Sequence, residues 1–410
     1  MKILHTSDWH LGLMLGEHDR LHEQRLFLEW LVERACELSI NALLVSGDVY
    51  DVVNPSLAAQ TLFADFVVKF YAAMPTAQLV VIAGNHDSAA RLELPKPFGE
   101  ALGRIHLVGQ LDVSSAIIPL RDRQGKACAW CLAVPYLRPS DLDCKVLDGE
   151  TVDEAFIRAV TSLYSSLKQK AQQADSELPI ISMGHLTVAG SARAGAERSM
   201  IGGVESIPVS AVADGMDYVA LGHIHRSQKL GADHVRYCGS PYAVNFDEHS
   251  AQHQILLIEL AQAGGGVIVT SLAVPRVVDF LRFPKEAGTL AQVQESVQQF
   301  DWKPYERLPR DLRPFVLFCF VSSEQATDLR KGVENLCSQL PIRYAGVTYS
   351  NALLASNGTI RIEHSDLRSL DAPTDVFLKH MERQQIQVPS PVLACFREAV
   401  AHVQMQGGAA

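Results

Sequence analysis

Short apolar runs recur along the N-terminal half of the chain, and each ends in a polar side chain or in glycine followed by one. Runs of this kind, bounded by turn residues, are typical of buried strands. Longer segments between them carry apolar residues every three or four positions, the pattern of helices with one buried face. The alternation of the two patterns predicts an α/β fold. The five runs begin at Ile3, Ala42, Leu79, Ile180 and Tyr218.

Three helices follow from the apolar periodicity. The first spans about 19–38, with a stripe made by Phe27, Leu28, Leu31, Ala35 and Leu38. The second follows Asn54-Pro55, which predicts an N-cap and a proline in the first turn. Its core face comprises Leu62, Phe63, Phe66, Val67 and Phe70. The third precedes Ile180 and is marked by Phe156, Val160, Leu163 and Leu167.

The pattern changes after the fifth run. Residues 254–260 and 267–274 predict two strands joined by a glycine-rich hairpin, which completes a first domain over residues 1–275. Residues 276–350 then predict a strand–helix–strand–helix–strand unit, a small α+β domain. Residues 351–410 predict a polar linker followed by two short amphipathic helices. The second of these helices carries Val392, Phe396, Val400 and Val403 on one face.

Length and composition place the chain in a broad class. Its 410 residues exceed one typical domain, and 48% hydrophobic with 20% charged residues describe an ordinary globular protein. No apolar run approaches the ~20 residues that a membrane span needs, so no membrane association is expected. Eight cysteines in so long a chain do not make a disulfide framework, and a cytoplasmic location is expected. Cys128-Ala-Trp-Cys131, a lone CxxC, predicts buried strand and not a zinc or redox site.

The charge is unevenly distributed. The net charge of −10 argues against general binding of nucleic acid. Residues 276–350, however, hold ten Lys and Arg against nine Asp and Glu, a net of +1, so contact with a polyanion is expected to be local. The residues of this unit that can contact phosphates, or simply form a solvated mixed-charge surface, are Arg276, Arg282, Lys303, Arg307, Arg310, Arg313, Arg330 and Lys331.

The polar groups at the ends of the five runs predict a metal centre. One such residue is usually a cap, and one histidine is usually a core residue bonded to a backbone carbonyl. Five strand ends bearing carboxylate, carboxamide and imidazole groups are hard to explain in that way. Such ligands, without thiolate, suit Mn²⁺, Fe²⁺ or Zn²⁺. The groups are Asp8, His10, Asp48, Asn85, His86, Asp87, His185, His223 and His225.

The order and spacing of these groups resemble the five motifs of the calcineurin-like metallophosphoesterases: Asp-x-His, Gly-Asp-x-x-Asp, Gly-Asn-His-Asp, Gly-His and Gly-His-x-His. The resemblance implies a β-sandwich flanked by helices that holds two divalent ions, with Mn²⁺ expected and Mg²⁺, Fe²⁺ or Zn²⁺ as alternatives. It assigns Asp8, His10 and His225 to one ion and Asp48 to a bridge between the two. The second ion is assigned Asn85, His185 and His223. Two ions roughly 3.5–4 Å apart clamp a phosphoryl group and acidify water.

The resemblance leaves His86 and Asp87 for catalysis. His86 would donate a proton to the leaving oxygen or contact the phosphate as a cation, and Asp87 would orient its imidazole. The alternative for His86 is a structural bond to the backbone. Asp51 departs from the pattern, because several relatives have a histidine there that seats the substrate. A carboxylate cannot donate in that way, so Asp51 is predicted to cap a turn.

A closer resemblance covers the segments 4–12, 220–226 and 237–241 together with Phe246-Asp-Glu248, which are similar to the SbcD family of bacterial nuclease subunits. It implies a duplex 3′-to-5′ exonuclease and a single-strand and hairpin endonuclease in DNA repair, recombination and replication. The implied partner is an SbcC-like ATPase of the SMC family, docked by residues 351–410, with a homodimer of this chain inside a heterotetramer. Residues 276–350 would be the DNA-contacting cap. The chain has no GxxxxGK[ST] pattern of its own.

Two other functions are compatible with the five motifs. A small-molecule or cyclic-nucleotide phosphodiesterase would use the same centre. A non-catalytic scaffold would keep the fold and lose ligands, whereas all seven ligand positions here hold competent donors.

Overall fold

The computed structural model describes residues 1–192, 206–261, 265–321, 332–333 and 336–350, together with 381, 392–393 and 396. The strands are β1 (Lys2–Thr6), β2 (Met14–Leu15), β3 (His18–Asp19), β4 (Ala42–Ser46), β5 (Gln78–Ile82), β6 (Ile105–Val108), β7 (Ile117–Arg121), β8 (Ala127–Ala133), β9 (Ile180–His185), β10 (Tyr218–Gly222), β11 (Gln228–Leu230), β12 (Ala232–Tyr237), β13 (Gln254–Leu260), β14 (Val267–Ala273), β15 (Phe280–Gly288), β16 (Phe315–Val321) and β17 (Arg343–Ser350). The helices are α1 (Leu21–Leu38), α2 (Leu57–Ala73), α3 (Ala89–Leu92), α4 (Lys96–Leu102), α5 (Val152–Ala174), α6 (Val209–Ala213), α7 (Leu290–Gln298) and α8 (Lys303–Glu306).

Two six-stranded sheets form a sandwich. The first sheet has the order β14-β13-β1-β4-β5-β6, and the second has the order β11-β12-β10-β9-β8-β7. Strands β1, β4 and β5 are parallel neighbours in the first sheet, and β9 and β10 are parallel neighbours in the second. The carboxyl ends of neighbouring parallel strands lie at one edge of a sheet, so the polar groups that follow these five strands are gathered at two such edges.

Alternation along the strands of the second sheet explains the two layers of core. Cys131 and Ala133 of β8 join the apolar cluster that also contains the first sheet and the inner faces of α1 and α2. Leu132, between them, joins a second cluster with α5 and α6. Successive side chains of a strand point to opposite faces, so one strand feeds both layers. The α/β sandwich flanked by helices is confirmed.

The predicted helix 19–38 is confirmed by α1, and the strands around the five motifs are confirmed as well. The N-cap prediction at Asn54 was wrong. The helix α2 begins two residues later, after Ser56, whose side chain accepts the backbone N–H of Ala59 at 3.2 Å. Serine is as good an N-cap as asparagine, and proline directly before it does not have to enter the helix.

The segment from residue 276 has its own three-stranded parallel sheet, in the order β15-β16-β17. This sheet and α7 enclose a separate apolar cluster that includes Val293 and Phe318. A smaller cluster joins Phe280 and Phe315 of the sheet to Ala243 of the preceding part of the chain. Residues 1–350 form one compact unit, and the domain boundary at 275 stays a prediction.

Residues 351–410 form a second compact unit, of which residues 381, 392–393 and 396 are described, all helical. The rest of the predicted linker and of the closing helices lies outside the described residues. The second helix of the unit 276–350 is predicted over about 325–338, and its residues 325–331 and 334–335 also lie outside the described residues. No helix in the part of the chain that the structure describes is long and apolar enough to cross a membrane.

His5 lies fully buried between the two sheets. Its Nδ1 is 3.0 Å from the Tyr218 hydroxyl, and its Nε2 is 3.2 Å from the Ser46 hydroxyl. Burial lowers the pKa of His5 from 6.5 to about 3, because the apolar surroundings disfavour the charged ring. The unfolded chain therefore takes up a proton at this histidine below about pH 6.5 that the folded chain does not bind.

We therefore expect the His5 contribution to stability to be complete above pH 6.5 and to be lost as the pH falls towards 3. Between pH 7.5 and 5 the loss from this one group amounts to about 2 kcal/mol. His5→Gln should make the free energy of unfolding in urea less dependent on pH over this interval. His234→Gln, on β12, serves as the matched control. Equal pH dependence in wild type and His5→Gln would contradict the expectation.

Candidate metal centre

Among the described residues, the side chains that follow the five strands come together in three overlapping groups of possible metal ligands, two of which are fully buried. The ligand atoms of Asp8, His10 and His225 all lie within 4.8 Å of one another. The ligand atoms of Asp48, His185 and His223 meet the same limit. Three donors at this separation can surround one ion. Six of the seven residues that the family resemblance assigns to two ions thus lie in two buried clusters.

Asn85 and Asp48 complete and connect the groups. Asn85 Oδ1 lies 2.9 Å from His223 Nδ1 and 3.0 Å from His185 Nε2, so it belongs to the second group. Asp48 Oδ2 lies 3.2 Å from His185 Nε2 and 3.8 Å from His10 Nε2, so it reaches both groups. All seven predicted ligands are therefore brought together, with Asp48 at the position of a bridge. Their role as ligands stays a prediction.

The backbone at this centre is held in an uncommon conformation. Among the described residues, five that are not glycine have a positive φ, and four of them belong to the centre. Their φ angles are 55° for Asp8, 44° for His10, 49° for Asp48 and 93° for His223. Residues with side chains adopt this region at an energetic cost, which is commonly borne at functional sites.

Two of the glycines in the motifs are required by close approach. A Cβ on Gly84 would lie 2.1 Å from Asp48 Oδ1, and a Cβ on Gly222 would lie 1.8 Å from the Ser46 carbonyl oxygen. Glycine at position 84 lets the loops after β4 and β5 of the first sheet approach each other, and glycine at position 222 lets β10 of the second sheet approach β4 of the first. The glycines that precede Asn85 and His223 therefore serve the assembly of the side-chain cluster itself.

The hydrogen bonds of the imidazole Nδ1 atoms show which ring nitrogens are free to face a cation. His225 Nδ1 donates to Glu248 Oε1 at 2.9 Å, so in the neutral ring Nε2 carries a lone pair, and it lies 3.1 Å from His10 Nε2. His185 Nδ1 donates to the Ser46 carbonyl at 2.9 Å, which leaves its Nε2 lone pair facing Asn85 Oδ1. Acceptors that face acceptors repel one another unless a cation or a proton lies between them. The donor set fits divalent cations.

The electrostatics of Asp48 and His185 point the same way. Burial opposes ionisation of Asp48, but the imidazoles of His185 and His10 outweigh it and hold the pKa of its carboxyl far below the usual range. Burial likewise disfavours charge on His185, yet the Asp48 carboxylate raises the pKa of its imidazole to about 9. The centre strongly favours positive charge beside Asp48, which is what a cation supplies.

His86 and Asp87 lie at the same edge. The His86 imidazole meets the same distance limit with His10 and Asp48, in the third and less buried group. His86 Nδ1 donates to the Asp51 carbonyl at 2.6 Å, and its ring lies 4.7 Å from the ring of His10. Asp87 accepts the backbone N–H groups of Gly84 at 2.8 Å and of Tyr50 at 2.8 Å, together with that of Val49. These contacts tie the loops after β4 and β5 together. They indicate that Asp87 positions these two loops. Asp87 was predicted to orient the His86 imidazole, but the group that His86 Nδ1 contacts is the Asp51 carbonyl.

Burial and the neighbouring Asp48 carboxylate raise the pKa of Asp87 to about 6. The three backbone N–H groups oppose this rise by stabilising the ionised form.

Two residues of the centre were not assigned to it from the sequence. Asp51, predicted to cap a turn, places Oδ1 3.3 Å from His10 Nδ1, on the side of the ring away from Asp48. Glu248 bonds His225, and the sequence marks it only as part of a family motif. Carboxylates behind ligating imidazoles fix the ring orientation and raise its basicity. The signal available for Asp51 was the Gly-Asp-x-x-Asp spacing. The signal available for Glu248 was its place in the segment Phe246-Asp-Glu248.

Two kinds of comparison relate the chain to known proteins. Residues 1–227 match the family model described as calcineurin-like phosphoesterase. The SbcD subunit of the nuclease SbcCD from Rhodobacter capsulatus is 37% identical over 358 residues, which cover 85% of this chain and 87% of that protein. The protein of the same name from Escherichia coli K12 is 34% identical, with 83% of each chain covered. That of Bacillus subtilis is 30% identical, covering 63% of this chain and 66% of its own length.

The family model covers more than half of the chain and ends just beyond His225. The proteins from Rhodobacter capsulatus and Escherichia coli K12 both exceed 30% identity over more than four fifths of both chains, which includes residues beyond the metal centre. The chain therefore belongs to the calcineurin-like phosphoesterases and, among them, to the SbcD subunits of SbcCD nucleases.

Proposed function

We propose that this chain is a metal-dependent DNA nuclease that hydrolyses phosphodiesters at a two-metal centre. The observation that carries the proposal is the set of imidazole, carboxylate and carboxamide acceptors that face one another, with Asp48 between the two groups. Asp8, His10 and His225 would hold one ion, and Asn85, His185 and His223 the other. Bound there, two divalent ions supply charge stabilisation at the phosphoryl oxygens and lower the pKa of water.

The chain's own residues supply orientation and a proton. The Asp51 carbonyl accepts from His86 Nδ1, which fixes the ring and leaves Nε2 as the atom that can deliver a proton to the leaving oxygen. Delivery requires the protonated ring. Asp48 helps to hold the loop that carries this ring, since its Oδ1 accepts the His86 backbone N–H at 2.8 Å.

A comparison of substrates tests the function. The purified chain with Mn²⁺ should cleave linear duplex in the 3′-to-5′ direction, nick single strands and open hairpins, and addition of the ATPase partner should increase duplex cleavage. Bis-p-nitrophenyl phosphate and cyclic nucleotides test the alternative, a small-molecule phosphodiesterase. Rapid turnover of cyclic nucleotides together with no cleavage of any DNA would overturn the proposal. No hydrolysis of any of these substrates would favour the other alternative, a non-catalytic scaffold with the phosphoesterase fold.

The structure divides the basic residues proposed to contact DNA in the unit 276–350. Arg276, Arg282 and Arg313 donate to backbone carbonyl oxygens of the chain itself. Arg330 and Lys331 lie outside the described residues. The candidates that remain are exposed, and they are Lys303, Arg307 and Arg310.

We expect replacement of Lys303, Arg307 and Arg310 together by glutamine to weaken duplex binding. The slope of log affinity against log salt should fall by about 1 for each phosphate contact that is lost. Fluorescence anisotropy at several salt concentrations measures both quantities. The control replaces three exposed lysines of the preceding part of the chain: Lys126, Lys145 and Lys170. An unchanged slope of log affinity against log salt in the variant with Lys303, Arg307 and Arg310 replaced would contradict this assignment.

We propose further that residues 351–410 dock an SbcC-like ATPase of the SMC family. Support comes from the name of the relatives, which are subunits of a complex called SbcCD, and from the separate compact unit that this segment forms.

Deletion of residues 370–410 should abolish co-purification with the ATPase and leave Mn²⁺ binding unchanged, because the metal centre lies wholly within residues 1–350. Pull-down of the tagged ATPase and a Mn²⁺ titration measure the two outcomes. Full co-purification of the truncated chain would place the docking surface elsewhere.

A homodimer within a heterotetramer is part of the same proposal. Leu94, Phe98 and Leu102 recur every four residues on and before α4, and 77% of Leu94 and 76% of Phe98 is exposed. An apolar stripe of this kind on a protein surface favours burial against a partner. A second copy of this chain would bury it, and sedimentation equilibrium of the chain alone tests this.

A further inference from the structure

The segment 245–251 lies between the metal centre and the three-stranded sheet of residues 276–350. It contains a short 3₁₀ helix, Phe246–Glu248, capped by the side chain of Asn245. One side of the segment contacts a metal-ligand histidine, and the other side contacts strand β15. None of its side chains belongs to the seven proposed ligands.

On the inner side, Glu248 is held in place by several donors. Its Oε1 accepts from His225 Nδ1 at 2.9 Å. Its Oε2 accepts the backbone N–H of Val244 at 2.9 Å and the Ser240 hydroxyl at 3.3 Å. Glu248 is only 3% exposed. A buried carboxylate with these partners has one available position, and that position fixes the ring of His225.

On the outer side, the three-stranded sheet holds the same segment. Arg282 of β15 donates through Nη2 to the Phe246 carbonyl at 3.0 Å and lies 3.3 Å from Asp247 Oδ1. The rings of Phe246 and Phe280 pack edge to face with centroids 5.0 Å apart. Arg276, which leads into the sheet, donates to the carbonyls of His249 and Ala251 at 2.7 and 2.8 Å.

We propose that Glu248 is a positioning residue for His225 and that the three-stranded sheet, acting through Arg282 and Phe246, sets the position of Glu248. The sheet then controls the affinity of the ion held by Asp8, His10 and His225. The ion held by Asn85, His185 and His223 is not subject to this control, since His185 is fixed by the Ser46 carbonyl within the sandwich. The inference rests on the proposed metal centre.

The consequence is a physical link between the DNA-contacting unit and the reaction. A shift of β15 would move residues 246–251, turn the Glu248 carboxylate and loosen one ion while the other stays bound. DNA or a partner that contacts the sheet could change the metal occupancy of the centre without touching any ligand. Such coupling requires only that the DNA or the partner binds one position of the three-stranded sheet more tightly than another.

The test is a Mn²⁺ titration of the metal-stripped full-length chain, followed by calorimetry and by electron paramagnetic resonance. Wild type should bind two ions and give the signal of a coupled pair. Glu248→Gln should weaken one of the two ions by about 10–100-fold, so that a mononuclear signal appears at intermediate Mn²⁺. Arg282→Gln should weaken the same ion by a smaller factor. Lys285→Gln, an exposed lysine on the same strand, is the matched control and should bind as wild type does.

Each result is decisive for a separate statement. Wild type that binds no pair of ions would overturn the metal centre and the proposed function with it. A wild-type pair that Glu248→Gln binds with unchanged affinity would overturn the role of Glu248. Weakening in Glu248→Gln but not in Arg282→Gln would overturn the control by the sheet. If Glu248→Gln melts well below wild type without metal, the Mn²⁺ affinity of Arg282→Gln tests the proposal instead, because Arg282 lies outside the sandwich core.

Discussion

Asp48→Asn should lower DNA cleavage by about 10³-fold or more, because it removes the negative charge of the carboxylate that lies between the imidazoles of His185 and His10, one from each group of ligands. Asparagine keeps the size of the side chain, and its Oδ1 can still accept the backbone N–H of His86. The fold should therefore persist while the paired binding of ions is lost. Cleavage of a labelled duplex and a Mn²⁺ titration on the same preparation measure the two effects.

Asp233→Asn is the matched control for this change. Asp233 is an exposed carboxylate on β12 that contacts Lys229 and Arg236, and its amide variant should cleave as wild type does. If Asp48→Asn still bound two ions and cut duplex at the wild-type rate, Asp48 would not be the bridge.

His86→Ala should retain both ions and lose about 10²–10⁴-fold in turnover on DNA, since the leaving oxygen of DNA is a poor leaving group that needs a proton. The loss should be much smaller for bis-p-nitrophenyl phosphate, whose leaving group departs without one. The comparison of the two substrates separates proton donation from a structural role. His106→Ala, a half-buried histidine bonded to Gln78 outside the centre, is the control.

An equal loss on both substrates would assign His86 to phosphate contact or to structure and not to proton donation. Loss of a metal ion in His86→Ala would place the imidazole among the ligands, since its ring lies near Asp48 and His10.

The strands and the convergence of their ends could be predicted from the sequence because both depend on local patterns. A short apolar run followed by glycine and a polar group marks the carboxyl end of a buried strand, and the parallel strands of each sheet place those ends at one edge of that sheet. The groups of side chains around Asp48 could be predicted from these local patterns together with the family resemblance, without knowledge of contacts between distant parts of the chain. The strand–helix–strand pattern after residue 276 was likewise sufficient for the three-stranded sheet.

The surroundings of the ligands could not be predicted, because they depend on how loops pack. Glu248 reaches His225 across 23 residues, through a 3₁₀ helix whose position is set by another sheet. Asp87 follows His86 directly in sequence, yet the turn directs its carboxylate to backbone N–H groups. Arg282 looked like a phosphate ligand, and only its hydrogen bond to Phe246 shows that the chain itself uses it.

Diffraction from a crystal soaked in Mn²⁺, recorded at the manganese absorption edge, is the most direct measurement of whether separate strand ends assemble a paired cation centre. Two anomalous peaks should appear, one among Asp8, His10 and His225 and the other among Asn85, His185 and His223, with Asp48 contacting both. Absence of density at both positions, or imidazoles of His185, His223 and His225 directed away from them, would contradict the account.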